Sequence, residues 1–121
     1  MKRSSTLFLK KDIKELGNWL HAMESLNMEL DVLRLVNNKL IKKERFLKRL
    51  VELRRKTTLN MVVFGEYGKF IKNEMAHGKV EYDAVRAKTH EKYRKLYLDI
   101  MKEFKILKER YYFYVLKYHC P

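Results

Sequence analysis

Residues that interrupt helices are scarce in this sequence of 121 residues: glycine occurs 4 times, and proline occurs once, at the last position. Glycine and proline disfavour a helix interior more than any other residues, so their scarcity predicts few turns and long helices. Hydrophobic residues make up 46% of the chain and charged residues 36%, which excludes a disordered tail. We therefore expect a single all-α domain over residues 1–121.

Long apolar runs and cysteine pairs are also missing. Uninterrupted apolar runs stay short, as in Met61–Phe64, whereas a membrane-spanning helix needs roughly 20 residues. Near the N-terminus, Lys10 ends the Leu7–Leu9 triplet too early for the core of a signal peptide. The single cysteine, Cys120, cannot form an internal disulfide and fits a reducing compartment. These absences predict a cytoplasmic protein without membrane insertion.

Catalytic signatures are absent as well. Gly65 and Gly68 lack the spacing and the Lys-Ser/Thr ending of a phosphate-binding loop. The few serines and threonines lack a His–Asp arrangement, and Cys120 has no fixed neighbourhood that would activate its thiol. We therefore expect neither enzyme activity nor a cofactor nor a small-molecule substrate.

One short motif has the spacing of a metal site, but the other ligands that such a site needs are missing. Glu74-x-x-His77 matches the carboxylate–histidine spacing found in di-iron helical bundles. A second Glu-x-x-His does not occur, and His90 falls at the edge of the apolar stripe of its helix. The interpretation favoured for His77 is a capping or hydrogen-bonded histidine, and no metal site is expected.

Apolar spacing divides the chain into four expected helices, at about 7–24, 26–55, 58–77 and 80–119. The apolar stripe changes direction between residues 24 and 27, which predicts a kink or a short turn, with one bent helix as the alternative. Thr58 is a suitable N-cap for the third helix, and Gly78 suits a left-handed position at its C-terminal end. The inner face of this helix would carry Leu59, Val63, Tyr67 and Phe70. Together, the apolar spacing and these capping residues predict an elongated bundle of three to four long amphipathic helices with coiled-coil-like packing.

The predicted helix at 26–55 has the spacing of a heptad seam, with steps that alternate between four and three residues. The seam positions are Leu26, Leu30, Leu33, Asn37, Leu40, Glu44, Leu47, Val51 and Arg54. Polar Asn37 and Glu44 interrupt it, as polar residues do where a coiled coil fixes its register.

The C-terminal helix has the clearest apolar stripe, within an arc of about 80° on a helical wheel. The stripe contains Tyr93, Leu96, Ile100, Phe104, Leu107, Tyr111, Tyr114 and Tyr118. Beyond it lie further apolar residues, namely Ile106, Tyr112, Phe113, Val115 and Leu116. A helix that is apolar on all sides must be covered on all sides, so these five residues predict an interface with a second copy or a partner protein.

Positive charge is concentrated in one short stretch. Residues 39–56 hold 9 basic and 2 acidic side chains and so carry +7 of the net charge of +13. On a continuous helix, several of the basic residues would form a stripe opposite the leucine seam. These are Lys42, Arg45, Arg49 and Lys56, with Lys48 on the flank. Their spacing suits contacts with successive phosphates, although the outer face of any amphipathic helix is charged.

The sequence thus favours a non-enzymatic helical interaction or assembly module. It would self-associate or dock on a partner protein through apolar faces centred on residues 26–51 and 93–118. The alternative is a small nucleic-acid-binding protein that uses the basic stripe at residues 42–56. Attachment to an anionic membrane surface ranks below both, because the apolar faces are needed for packing.

Overall fold

Three long helices make up the chain in a computed structural model, which describes residues 3–78 and 81–119, with side chains at 5–78 and 81–117. They are α1 (Arg3–Val36), α2 (Glu44–His77) and α3 (Ala84–His119), each about 50 Å long at 1.5 Å per residue. The described residues contain no strand, which confirms the all-α prediction, and α3, with 36 residues, is the longest helix. None of the described helices combines the length and the apolar character needed to cross a membrane.

The chain reverses at Lys42 and Lys43, inside the predicted helix at 26–55, so that prediction is wrong. After α1, residues 37–41 form a π-helical turn, and Lys42 adopts the left-handed conformation with φ 54°. Asn37, which is 1% exposed, holds the reversal together. Its Nδ2 donates to the Lys43 carbonyl (3.1 Å), and its Oδ1 accepts from the Lys43 N–H (3.3 Å). The seam therefore ends at Asn37, and the next seam residue, Leu40, is 69% exposed.

The breaks predicted at 24–27 and 56–58 do not occur. α1 is continuous through Asn27, which is the alternative that the sequence left open. Asn27 donates to Thr58 Oγ1 (3.1 Å), so Thr58 links α1 to α2 and caps no helix. The hydroxyl of buried Thr57 donates to the carbonyl four residues earlier (2.8 Å), which satisfies it inside the helix. Polar residues that indicated breaks in the sequence thus form hydrogen bonds within and between helices.

α1 and α2 pack closely in antiparallel orientation. A Cβ atom at Gly68 would lie 3.0 Å from Leu16 Cδ2, so the missing side chain permits this close approach. α3 runs parallel to α1, and the Tyr111 hydroxyl donates to the Leu33 carbonyl (3.2 Å). The buried apolar residues form one cluster contributed by all three helices and the π-helical turn. They are Leu9, Leu16, Trp19, Met23, Leu26, Leu30, Leu33, Ile41, Leu50, Leu53, Phe64, Tyr67, Ile71, Ile100, Phe104, Leu107 and Tyr111.

Local capping signals mark the connection between α2 and α3. Gly78 ends α2 in the left-handed conformation with φ 56°, as predicted, and its N–H donates to the Glu74 carbonyl (3.0 Å). Asp83 caps α3, because its Oδ1 accepts from the Arg86 N–H (3.0 Å). The helix expected from residue 80 therefore begins at Ala84; residues 79 and 80 lie outside the described residues.

Candidate functional site

The turn at residues 42–43 divides the predicted basic stripe. Lys42 lies in the turn and not on a helix. At the other end, Lys56 Nζ lies 2.8 Å from Glu103 Oε2 of α3, so its charge is paired. Lys48 is exposed on α2. The five residues therefore do not form one continuous stripe.

Arg45 and Arg49 lie beside α3, and Arg110 joins them from that helix. Together with their neighbours they line one groove, which we call the basic groove: Lys43, Arg45, Phe46, Arg49, Arg110 and Tyr114. Lys43 Nζ lies 4.6 Å from the centre of the Tyr114 ring, a cation–π distance. Within the described part of the chain, none of the three arginines pairs with a carboxylate. The basic groove thus keeps a concentrated positive charge.

The predicted interface residues lie at this same end of α3. Phe113 and Leu116 are 65% and 66% exposed, and Ile106 and Tyr112 are also exposed. Val115 differs, because it is half-buried against the core. The side chain of Tyr118 and the whole of Cys120 lie outside the described residues. Four of the five predicted residues therefore leave apolar surface uncovered by this chain.

A second apolar surface, which was not predicted, lies between α2 and α3. We call it the apolar groove, and it is lined by Val62, Val63, Glu66, Tyr67, Phe70, Thr89 and Tyr93. Val62, Val63 and Phe70 are 61%, 46% and 53% exposed. The sequence had assigned Val63 and Phe70 to the inner face of their helix, together with Leu59, which is also exposed; of that set only Tyr67 is buried. α1 packs on the side of α2 that carries Gly68. The neighbouring side of α2, with Val63 and Phe70, is therefore left uncovered.

Three exposed lysines of α3 lie close to the groove residues in the sequence. Lys88 and Lys92 directly precede Thr89 and Tyr93, and Lys95 lies one turn further along. In the structure the three lysines line a separate surface of α3, together with Glu91, Arg94 and Leu98. No ion pair is described for any of the three lysines, so this face of α3 is positively charged.

A buried polar cluster centred on His90 was not predicted. His90 Nε2 lies 2.6 Å from Glu15 Oε1 and 3.4 Å from Asp12 Oδ1. Its Nδ1 lies 2.7 Å from the Tyr67 hydroxyl, and the imidazole stacks on Trp19 with centroids 5.0 Å apart. Since these residues come from all three helices, only the packed bundle brings them together.

A second layer of side chains holds the two carboxylates of this cluster. The Tyr82 hydroxyl donates to Asp12 Oδ2 (2.6 Å), and Arg94 donates to Glu15 Oε1 (2.5 Å). Burial raises the pKa of the Tyr82 hydroxyl, and its hydrogen bond to Asp12 raises it further. Burial also acts to raise the pKa of Glu15, but hydrogen bonds from Arg94 and His90 outweigh it and lower that pKa below its ordinary value.

A cavity of about 220 Å³ adjoins this cluster. Its walls are mostly apolar, and Asp12, Tyr67 and Tyr82 face it from the cluster. Glu74 lines it too, but Glu74 pairs with Arg86 (2.6 Å), and His77 is exposed. The spacing of Asp12 and Glu15 on one face of α1 and the position of His90 are visible in the sequence. No sequence signal joins them, because they lie about 75 residues apart.

Comparisons with protein-family models, with curated proteins and with solved structures find no match for this chain.

Proposed function

We propose that this chain is a non-enzymatic interaction module that binds an amphipathic helix of a partner protein in the apolar groove between α2 and α3. The observation that carries the proposal is the exposure of Val62, Val63 and Phe70 along one groove. Adjacent large apolar side chains on a monomer surface mark a binding site more often than a scattered exposed residue does.

A helix is the partner element that fits this groove. Two antiparallel helices present a long concave surface, and an amphipathic helix buries one apolar face in such a surface. α1 already covers the opposite side of the pair. The added helix would complete an elongated four-helix bundle with coiled-coil-like packing.

Charge favours an acidic partner over a second copy of this chain. The net charge of the chain is +13, and Lys88, Lys92 and Lys95 form a positive face on α3, the helix that supplies one wall of the groove. A second copy would bring like charge to this side of the bundle, whereas acidic residues beside an apolar helix face would complement it. The patch of Ile106, Tyr112, Phe113 and Leu116 remains a separate prediction for self-association.

Replacing Val63 and Phe70 together with glutamate is expected to abolish partner binding. Burying each apolar side chain contributes about 1.5–3 kcal/mol, so the loss should reach about 100-fold or more in affinity. The measurement is quantitative co-purification from the native cells after nuclease treatment, followed by affinity measurement with the recovered partner.

The matched control replaces Phe113 and Leu116 with glutamate, because these apolar residues are more exposed than Val63 and Phe70 but lie outside the apolar groove. It should retain the partner, and light scattering of the same variant tests self-association. Recovery of the partner at wild-type levels with the Val63 and Phe70 variant would contradict the proposal, as would an absence of any nuclease-resistant partner.

A second candidate function is polyanion binding in the basic groove. Arg45, Arg49 and Arg110 converge there from two helices without carboxylate partners, beside two aromatic rings. Arginines hold phosphates through charged hydrogen bonds, and aromatic rings stack on bases of single strands. These arginines differ from the basic stripe predicted from the sequence in two ways. Arg110 of α3 is added, and Lys56 is excluded because it pairs with Glu103.

Replacing Arg45 and Arg49 with glutamate is expected to weaken binding to short nucleic-acid probes far more than the same change at Lys102 and Lys105. Both pairs are charge reversals on helices, so net charge changes equally. Wild-type affinity should fall with salt at a log–log slope near −0.9 per phosphate contact on duplex DNA. Fluorescence anisotropy across a salt series measures both effects. Equal weakening by the two variants would indicate diffuse attraction and no site.

A further inference from the structure

We propose that Asp12, Glu15 and His90 form a binding site for a divalent first-row transition-metal ion such as Zn²⁺. One ligand atom from each of the three side chains lies within 4.8 Å of the other two. None of the three ligands lines the apolar groove or the basic groove, although Tyr67, which contacts His90, also lines the apolar groove.

The donor set suits such an ion. An imidazole nitrogen and two carboxylate oxygens are ordinary Zn²⁺ ligands, at about 2.0–2.2 Å from the metal. In a tetrahedral site of that size, ligand atoms lie roughly 3.3–3.6 Å apart. His90 Nε2 lies 3.4 Å from Asp12 Oδ1 and 2.6 Å from Glu15 Oε1, so small side-chain shifts bring them to these distances. The ion would occupy the place of the proton between His90 and Glu15.

A further side chain holds each of the three ligands. The Tyr67 hydroxyl lies 2.7 Å from His90 Nδ1, and the Tyr82 hydroxyl donates to Asp12 Oδ2 (2.6 Å), so both contact an atom that would not bind the metal. Arg94 donates to both oxygens of Glu15, from Nη2 to Oε1 (2.5 Å) and from Nε to Oε2 (3.3 Å), so the metal would share Oε1 with this guanidinium. Metal-binding histidines and carboxylates have such partners, which fix their orientation.

Charge and access are consistent with this assignment. Two carboxylates, one of them on an almost fully buried Asp12, face a single paired cation, Arg94, so a divalent ion would compensate their charge. Asp12 also lines the cavity of about 220 Å³, which offers a route for entry and space for a water molecule as fourth ligand.

The test is a titration of the chelator-treated, dialysed full chain with Zn²⁺ by calorimetry and with Co²⁺ by visible absorption spectroscopy. We expect one ion per chain and the intense visible bands of four-coordinate Co²⁺. Asp12→Asn should weaken binding at least 100-fold, since it removes a charged ligand but keeps the shape of the side chain. Tyr82→Phe, which removes only a supporting hydroxyl, should weaken it about 10–100-fold.

The matched controls are Glu74→Gln and the pair His21→Asn and His77→Asn, which remove a carboxylate near the cavity and two exposed histidines. These variants should bind like the unmodified chain, and circular dichroism checks that every variant is helical. If Asp12→Asn fails to fold, Tyr82→Phe decides. Absence of binding to the unmodified chain would overturn the proposal. Binding that survives Asp12→Asn or Tyr82→Phe but is lost with the exposed histidines would overturn it as well.

Discussion

Replacing Phe64 with alanine is expected to lower the free energy of unfolding by about 3–5 kcal/mol. Phe64 is 0% exposed and contacts a ring from each of the other two helices, with centroid distances of 6.0 Å to Trp19 and 5.4 Å to Tyr93. Its removal leaves a cavity where all three helices meet, and the surrounding rings cannot close that cavity completely. Because domains are stable by about 5–15 kcal/mol, the variant should be barely folded.

Urea denaturation followed by circular dichroism measures this loss. The matched control is Phe113→Ala, which removes the same side chain from a position that is 65% exposed. Its stability should stay within about 0.5 kcal/mol of that of the unmodified chain. Similar losses for the two variants would show that Phe64 is not the central contact described above.

Replacing Asn37 with leucine is expected to lower the free energy of unfolding by about 1–3 kcal/mol. The side-chain amide pairs with both the N–H and the carbonyl of Lys43. Leucine would leave the Lys43 N–H without this partner, whereas the Lys43 carbonyl would keep its hydrogen bond from the Leu47 N–H (3.1 Å). The loss of one such partner costs about 1–3 kcal/mol. If Asn37 were instead a polar residue in a continuous coiled-coil seam, leucine would increase stability, so the two interpretations predict opposite signs.

Asn38→Leu provides the control, because Asn38 is the neighbouring asparagine and is exposed. Its effect should be within about 0.5 kcal/mol. Thermal and urea unfolding, together with light scattering, distinguish the outcomes. A gain in stability for Asn37→Leu, accompanied by dimerisation, would restore the continuous helix at 26–55 and contradict the turn at residues 42–43.

The proposed sites can be tested separately because they use different residues. Val63 and Phe70 belong to the apolar groove, Arg45 and Arg49 belong to the basic groove, and Asp12 belongs to the cluster around His90. Phe70 also lines the cavity beside Asp12, whereas Val63 does not, so Val63→Glu alone separates the apolar groove from the metal site. The failure of one proposal then does not decide the others.

Local features of this protein could be predicted from the sequence. The scarcity of glycine and proline indicated long helices. The stripe of α3 indicated most of its buried face: Ile100, Phe104, Leu107 and Tyr111 are buried, whereas Leu96 of the same stripe is exposed. Gly78 was expected in the left-handed conformation that it adopts. These properties depend on neighbours within a few residues along the chain, which the sequence shows directly.

The position of the main turn depended on the tertiary structure. Lys42 adopts a left-handed conformation that sequence reasoning assigns to glycine, and Asn37 accommodates it through a contact six residues away. The alternating steps of four and three residues continue past this point to Leu40 and Leu47, so periodicity predicted one long helix. Packing of α2 against α1 offsets the unfavourable backbone conformation of the turn. The spacing of apolar residues along the chain does not reveal that packing.

The candidate sites also depended on the tertiary structure, for a common physical reason. Helical periodicity tells which residues share a face, but the neighbouring helices decide whether that face is covered; Tyr67 is therefore buried while Val63 and Phe70, from the same predicted face, are exposed. Likewise, Asp12 and His90 become neighbours only because α3 packs parallel to α1. Contacts between residues far apart in the chain have no local signal, so the sequence determined the helices and the packing of the helices determined the sites.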